Sequence, residues 1–210
     1  MDFLIDFILH LDQHLISLIR EYGTLTYLIL FLIVFTETGV IVMPFLPGDS
    51  LLFAAGAISA LPDSTLSVFI VIPLLITAAL LGDNVNYFIG RFAGGFVKSK
   101  ERILFFKREY IIQTEAFYEK HGAKTIIMAR FVPIVRTIAP FVAGAGSMKY
   151  RNYIFNCLAG AILWVVGLTL LGYLFGNMPI VKNNFEKVII AIIFISILPM
   201  VVGFYKNRKK

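Results

Sequence analysis

The sequence predicts an all-α polytopic membrane protein: about four transmembrane helices, two opposed re-entrant helical hairpins and an N-terminal amphipathic interfacial helix. Three observations predict it. The 210-residue chain is 59% hydrophobic and 15% charged, with a mean hydropathy of +0.84, which is more apolar than one soluble core of that size accounts for. Charge-free intervals recur at lengths that suit a bilayer crossing of about 20 apolar residues. Two further apolar runs hold Pro, Gly and charge in their middles, a pattern that lipid tolerates only where the backbone is buried in protein or lines a polar cavity.

Residues 1–20 read as the interfacial helix. Phe3, Phe7, Leu11, Leu15 and Leu18 recur at helical spacing, with Asp6, His10, Gln13 and Ser17 on another face. Met1-Asp2 supplies no basic n-region and no small-residue cleavage site follows, so a cleaved signal peptide is not expected. His10 and His14 lie one turn apart near Asp6, but with no fourth ligand in sight they read as exposed polar-face residues, and no metal is expected.

Residues 21–205 form a single transmembrane domain, followed by a basic tail at 206–210. The first crossing starts at 22–36 and continues past Glu37 to Met43; the others are 64–82, 152–181 and 188–205. The hairpins occupy about 44–62, around Asp49, and about 122–148, around Arg130 and Arg136. The basic loop, about 91–121, carries Arg91, Lys98, Lys100, Arg102, Lys107, Arg108 and Lys120, with Lys124 just beyond. By the positive-inside rule that loop is cytoplasmic. Both termini then lie inside, the Asp49 hairpin enters from outside, the arginine hairpin enters from inside, and the two meet near the midplane.

The formal net charge of +6 is mostly this topology signal plus attraction to anionic headgroups. No folded basic domain is left over for nucleic acid. Cys157 stands alone in an apolar span, without a CxxC pair, and reads as a small packing residue. Trp164, deep in a crossing, reads as packing too. The pairs Gly90/Gly94 and Gly172/Gly176 have the small-xxx-small spacing of close helix contacts and permit a homodimer without requiring one.

A loose internal echo joins the halves. "TETGVIVMPFLPGDSLLFAAGAIS" runs acid, Pro pair, acid, Ala-Gly-Ala; "MARFVPIVRTIAPFVAGAGSM" has a similar order with arginines in place of acids. The spacings differ, but the pattern fits inverted-repeat transporters, in which broken helices place the site at the repeat interface.

The chemistry lies in the charges. Glu37 is well inside a crossing, where an unpartnered carboxylate takes up a proton more readily than it stays a desolvated charge; its alternative is a structural ion pair. Asp49 follows Pro47-Gly48, where a helix cap belongs, and capping and function can coexist at a hairpin tip. Arg130 and Arg136 keep their charge, and each costs at least about 2.5 kcal/mol at the bilayer centre. Something anionic compensates them: Glu37 and Asp49, a phosphate, or each in turn. Guanidinium forks suit phosphate oxygens because they give paired hydrogen bonds as well as charge. Asp83 and Asn84, beside Asn86, read as a polar cluster at the cytoplasmic end of the second crossing, with gating as a further role. No HExxH, GxSxG or Walker loop is present, and every histidine lies outside the apolar spans. No catalytic residue, no enzyme activity and no cofactor are expected.

The stretches "FTETGVIVMPFLPGDSLLFAAGAIS", "GDNVNYFIGR", "FYEKHGAKTIIMARFVPIVRTIAPFVAGAGSM" and "GYLFGN" resemble the bacterial DedA family of membrane proteins, also described by the VTT or SNARE-associated domain, over nearly the whole chain. The resemblance implies a multi-pass protein of the bacterial plasma (inner) membrane, with two opposed re-entrant hairpins and a distant relation to eukaryotic lipid scramblases. It also implies lipid translocation, with undecaprenyl phosphate or phosphatidylethanolamine as cargo, and proton-dependent growth under stress. The acids and arginines required in the family fall on Glu37, Asp49, Arg130 and Arg136. Two arginines at a broken-helix site favour a net-negative phosphate headgroup over a zwitterion. The expectation is a proton-coupled lipid-phosphate flippase in which Arg130 and Arg136 bind phosphate and Glu37 and Asp49 compete for them when ionised. The alternatives are a phosphatidylethanolamine flippase or scramblase, and a cation/proton antiporter in which the acids bind the ion.

Overall fold

The computed structural model describes residues 17–19, 21–39, 48–99, 102–103, 106–107, 118, 122, 124–146, 148–185, 187–188, 190–192 and 194. His10, His14, nearly all of the expected interfacial helix, most of the fourth crossing and the tail 206–210 lie outside these residues.

A 3-10 turn at Gly23–Leu25 leads into α1 (Thr26–Gly39). Then come α2 (Gly48–Ser59) and α3 (Val68–Ser99). A minimal antiparallel ladder, β1 (Arg102–Ile103) with β2 (Phe106–Lys107), is the exception to helix among the elements of the described residues. The second half holds α4 (Thr125–Ala129), α5 (Pro133–Ala145), α6 (Tyr150–Phe175) and α7 (Pro179–Lys182).

Length sorts these helices into two kinds. The apolar stretch Val68–Ala93 of α3 and the whole of α6 have 26 residues each, about 39 Å at 1.5 Å per residue, enough to span the ~30 Å hydrocarbon layer. The described lengths of α1, α2 and α5 are 14, 12 and 13 residues, about 18–21 Å; of these, α5 has described residues on both sides and is shorter than the layer. Of the expected first crossing, α1 is described to Gly39, and residues 40–43 lie outside the described residues. The second does not stop at Gly82, because nothing in the sequence there breaks a helix, and α3 continues through Asp83 to Ser99, past the start of the expected loop. The third ends at Phe175, with Pro179 opening the separate short α7.

Breaks in the second hairpin follow from proline. Pro133 occupies the first turn of α5, where its missing N–H costs nothing, and Val132 before it is extended at φ −118°, ψ 109°. The chain thus leaves α4, turns through Arg130 to Val132, and restarts as α5.

Packing exchanges the two halves: α2 of the first lies against α6 of the second, and α5 of the second lies against α3 of the first. The glycines show the same exchange on both sides. A methyl at Gly56 would overlap the Thr169 carbonyl oxygen, and one at Gly172 the Phe53 carbonyl. A methyl at Gly144 would overlap the Tyr87 carbonyl, and one at Gly90 the Phe141 carbonyl. Backbones approach closely only where no side chain intervenes. Gly90 and Gly172, which the sequence offered to a dimer, are thus filled from within the chain, and Gly176 packs on Ala57.

Two apolar clusters result, one built on Leu30, Leu52, Leu75 and Val165, the other on Tyr87, Ala129, Phe141 and Tyr153. Outward faces of the long helices carry Phe69, Phe92, Phe155 and Leu174 well exposed, an apolar surface suited to lipid. Between the clusters, at the level of Asp83 on α3 and Gly160 on α6, lies a layer of charge.

Candidate functional site

Among the described residues, five charged side chains meet in this layer. Glu37 comes from the last turn of α1, Asp49 from the first turn of α2, and Asp83 from the middle of α3. Arg130 follows α4 directly, and Arg136 sits one turn into α5. The two broken segments therefore meet, as the sequence leads one to expect, and their N-terminal turns converge where helix dipoles favour anionic groups.

Arg136 is divided between two acids. Its Nη1 donates to Asp49 Oδ1 at 2.9 Å and its Nη2 to Glu37 Oε1 at 2.6 Å. Glu37, Arg136 and Arg130 are buried, while the Asp49 side chain keeps 14% of its surface exposed and is the group that reaches outward. Gly48 lies beside it, and a Cβ there would overlap the Glu37 carboxylate as placed, so a larger residue would push that carboxylate aside.

Arg130 has a partner that the sequence did not give it. Its Nη1 pairs with Asp83 Oδ2, while its Nε and Nη2 are buried with no hydrogen-bond partner among the described residues. Asp83 is fully buried at mid-helix, not a polar group at a helix end. The Cys157 thiol lies 3.0 Å from the same Asp83 oxygen, and the Tyr153 hydroxyl donates to the Asp83 carbonyl at 2.8 Å. Cys157 thus contributes a polar contact beyond packing. The neighbouring Asn84 turns away: its amide donates to Leu80 O on its own helix, and its Oδ1 accepts from Tyr150 at 2.8 Å.

Two further residues organise the layer. Asn86, buried on α3, donates to Thr137 O at 2.6 Å and to Thr38 O at 3.4 Å, tying the end of α1 to the start of α5. Trp164 on α6 does more than pack. Its indole N–H donates to Asp49 Oδ1 at 2.8 Å, and its ring centroid lies 4.6 Å from the Arg136 guanidinium carbon and 5.3 Å from that of Arg130. One rigid ring thus touches both cations and one acid. A lone Trp in an apolar run carries no sequence signal that separates this role from packing.

From the expected basic loop, Tyr118 is described: it is buried, and its hydroxyl donates to Ala139 O of α5 at 3.0 Å. Burial holds its phenol above the ordinary range, so the donor proton stays in place.

Residues 46–174 match the VTT domain family. The chain is 53% identical over 207 residues to Protein DedA of Escherichia coli (strain K12), covering 99% of this chain and 94% of that protein. It belongs to the DedA family. Across the DedA family it is also 44% identical over 172 residues to an uncharacterized membrane protein of Mycobacterium tuberculosis, covering 82% of this chain and 75% of that one. To Inner membrane protein YghB of Escherichia coli (strain K12) it is 32% identical over 196 residues, covering 93% and 84%. No solved structure matches. The last two relatives are named as a membrane protein and an inner membrane protein, and the chain is a membrane protein of that kind. The VTT match takes in Asp49, Asp83, Arg130, Arg136 and Trp164, with Glu37 just before it.

Proposed function

We propose that the chain is a proton-coupled lipid-phosphate flippase of the bacterial plasma membrane that returns undecaprenyl phosphate to the cytoplasmic leaflet. The observation that carries the reading is the Arg136 fork, whose two Nη groups each hold an oxygen from a different carboxylate, at 2.9 and 2.6 Å. Two oxygens of one phosphate monoester suit the same fork, in the paired geometry guanidinium favours. Protonating Asp49 and Glu37 frees it. Asp49, the more exposed acid, is the first reached by a proton or a headgroup, and Glu37 behind it is the second. Arg130 adds two buried nitrogens, Nε and Nη2, without hydrogen-bond partners among the described residues, and the polyprenyl tail stays in lipid along the apolar outer faces.

Charge balance links transport to protons. Among the described residues, three carboxylates face two guanidiniums, which leaves no positive charge to spare for an anion while all three acids are ionised. A negative headgroup enters as acids take up protons and leaves as they lose them. Alternating movement of the two broken segments, with both termini cytoplasmic, would carry the head across.

Proteoliposomes test this with undecaprenyl phosphate and an imposed pH gradient. Transport should follow the gradient in the unmutated protein and become independent of it in Glu37→Gln. Gradient-independent transport by the unmutated protein would leave a scramblase, and no transport under either condition would remove the reading. The surplus carboxylate also favours a second reading, a cation/proton antiporter; gradient-driven cation flux without lipid movement would select it.

A further inference from the structure

Trp164 belongs to no acid–base pair, yet it touches three of the five charged groups. Its N–H and Arg136 Nη1 converge on the same oxygen, Asp49 Oδ1, at 2.8 and 2.9 Å. Its ring lies against both guanidiniums, 4.6 and 5.3 Å away. An indole N–H is a donor without acceptor capacity, so if Asp49 releases it, it needs another acceptor in a buried place. A π face beside two cations offsets part of their mutual repulsion when the acids are neutral.

Resting on the flippase reading above, we infer that Trp164 is a binding residue of the headgroup site: when Asp49 is released, its indole N–H passes to a phosphate oxygen, and its ring keeps Arg130 and Arg136 in register around the headgroup. The bound phosphate then has donors from three directions, two guanidiniums and an indole. A monoester has enough free oxygens to accept from all three. The esterified phosphate of phosphatidylethanolamine has fewer, so Trp164 sharpens the choice between them.

The chain contains a single tryptophan, so its own emission reports on this residue without any mutation. Purified protein is titrated with undecaprenyl phosphate and, separately, with phosphatidylethanolamine, and lipid retention is measured in parallel for Trp164→Phe, Trp164→Leu and Arg130→Ala/Arg136→Ala. Binding of the phosphate lipid should shift the Trp164 emission to a saturable end point. Trp164→Phe, which keeps a ring and loses the N–H, should bind it at least about tenfold more weakly, the scale of one lost hydrogen bond to a charged acceptor. Its preference over phosphatidylethanolamine should narrow, whereas a purely structural role would weaken both lipids alike. Trp164→Leu should lose about a further tenfold as both ring–cation contacts go.

Unchanged emission at saturation, with Trp164→Phe binding as the unmutated protein does while the arginine variant fails to bind, would overturn the role of Trp164 and leave the flippase reading standing. Binding that ignores the arginine substitutions would overturn both. If Trp164→Phe does not fold, the emission of the unmutated protein decides alone.

Discussion

Arg130 and Asp83 form the pair whose loss should cost most. Both are buried, and removing one partner of a buried pair strands the other charge, typically at 3–5 kcal/mol. Asp83→Ala should therefore destabilise the protein by about that much in a detergent melting assay, while Asp83→Leu/Arg130→Met recovers most of the stability and none of the lipid transport. A double variant no more stable than Asp83→Ala would mean the pair is not a closed unit. At Gly48 a methyl has no room beside Glu37; Gly48→Ala should cost about 1–3 kcal/mol by the same assay, the usual scale of overpacking. Four of these charges were legible in the sequence because a charge in an apolar run is expensive and so stands out: Glu37, Asp49, Arg130 and Arg136. Asp83 was visible but misplaced, since a span measured by its charge-free length ends at the charge itself. Trp164 and Cys157 were legible only as apolar packing, because nothing in an apolar run shows which side chain turns its one polar atom toward the site.

Among the helices, short and long have separate tasks. The two long ones are long and apolar enough to cross, while α1 brings its last turn, and α2 and α5 their first turns, to the charges. Proline explains the second break and was readable from the sequence; Pro133 sits where α5 restarts. The exchange of α2 and α5 between the halves was less readable, because the echo between Ala-Gly-Ala segments shows similarity without showing which helix each packs on. Reciprocal glycine contacts supply that. They predict that Gly56→Ala and Gly144→Ala are damaging to a similar degree, each by more than about 1 kcal/mol of stability, because each methyl would meet a carbonyl oxygen of the partner helix. A tolerated Gly144→Ala beside a damaging Gly56→Ala would break the equivalence. Tyr118→Phe, which leaves the Ala139 carbonyl short of a donor, should cost about 1 kcal/mol.

For the whole molecule, the arrangement is two apolar clusters separated by a charged layer at mid-span. The class was legible from composition and span length alone, and the family resemblance agrees with it. The pairing inside the layer was not, because single-chain patterns do not say which acid faces which arginine. That pairing decides the account: the acids hold the arginines, and in the proposed function an anionic headgroup replaces them. Native mass spectrometry of the purified protein with undecaprenyl phosphate, its diphosphate and phosphatidylethanolamine in competition, repeated on Arg130→Ala/Arg136→Ala, tests that claim most directly. The account predicts selective retention of the monophosphate, lost in the double variant; equal retention of all three lipids by both proteins would contradict it and leave the arginines as permanent partners of the acids.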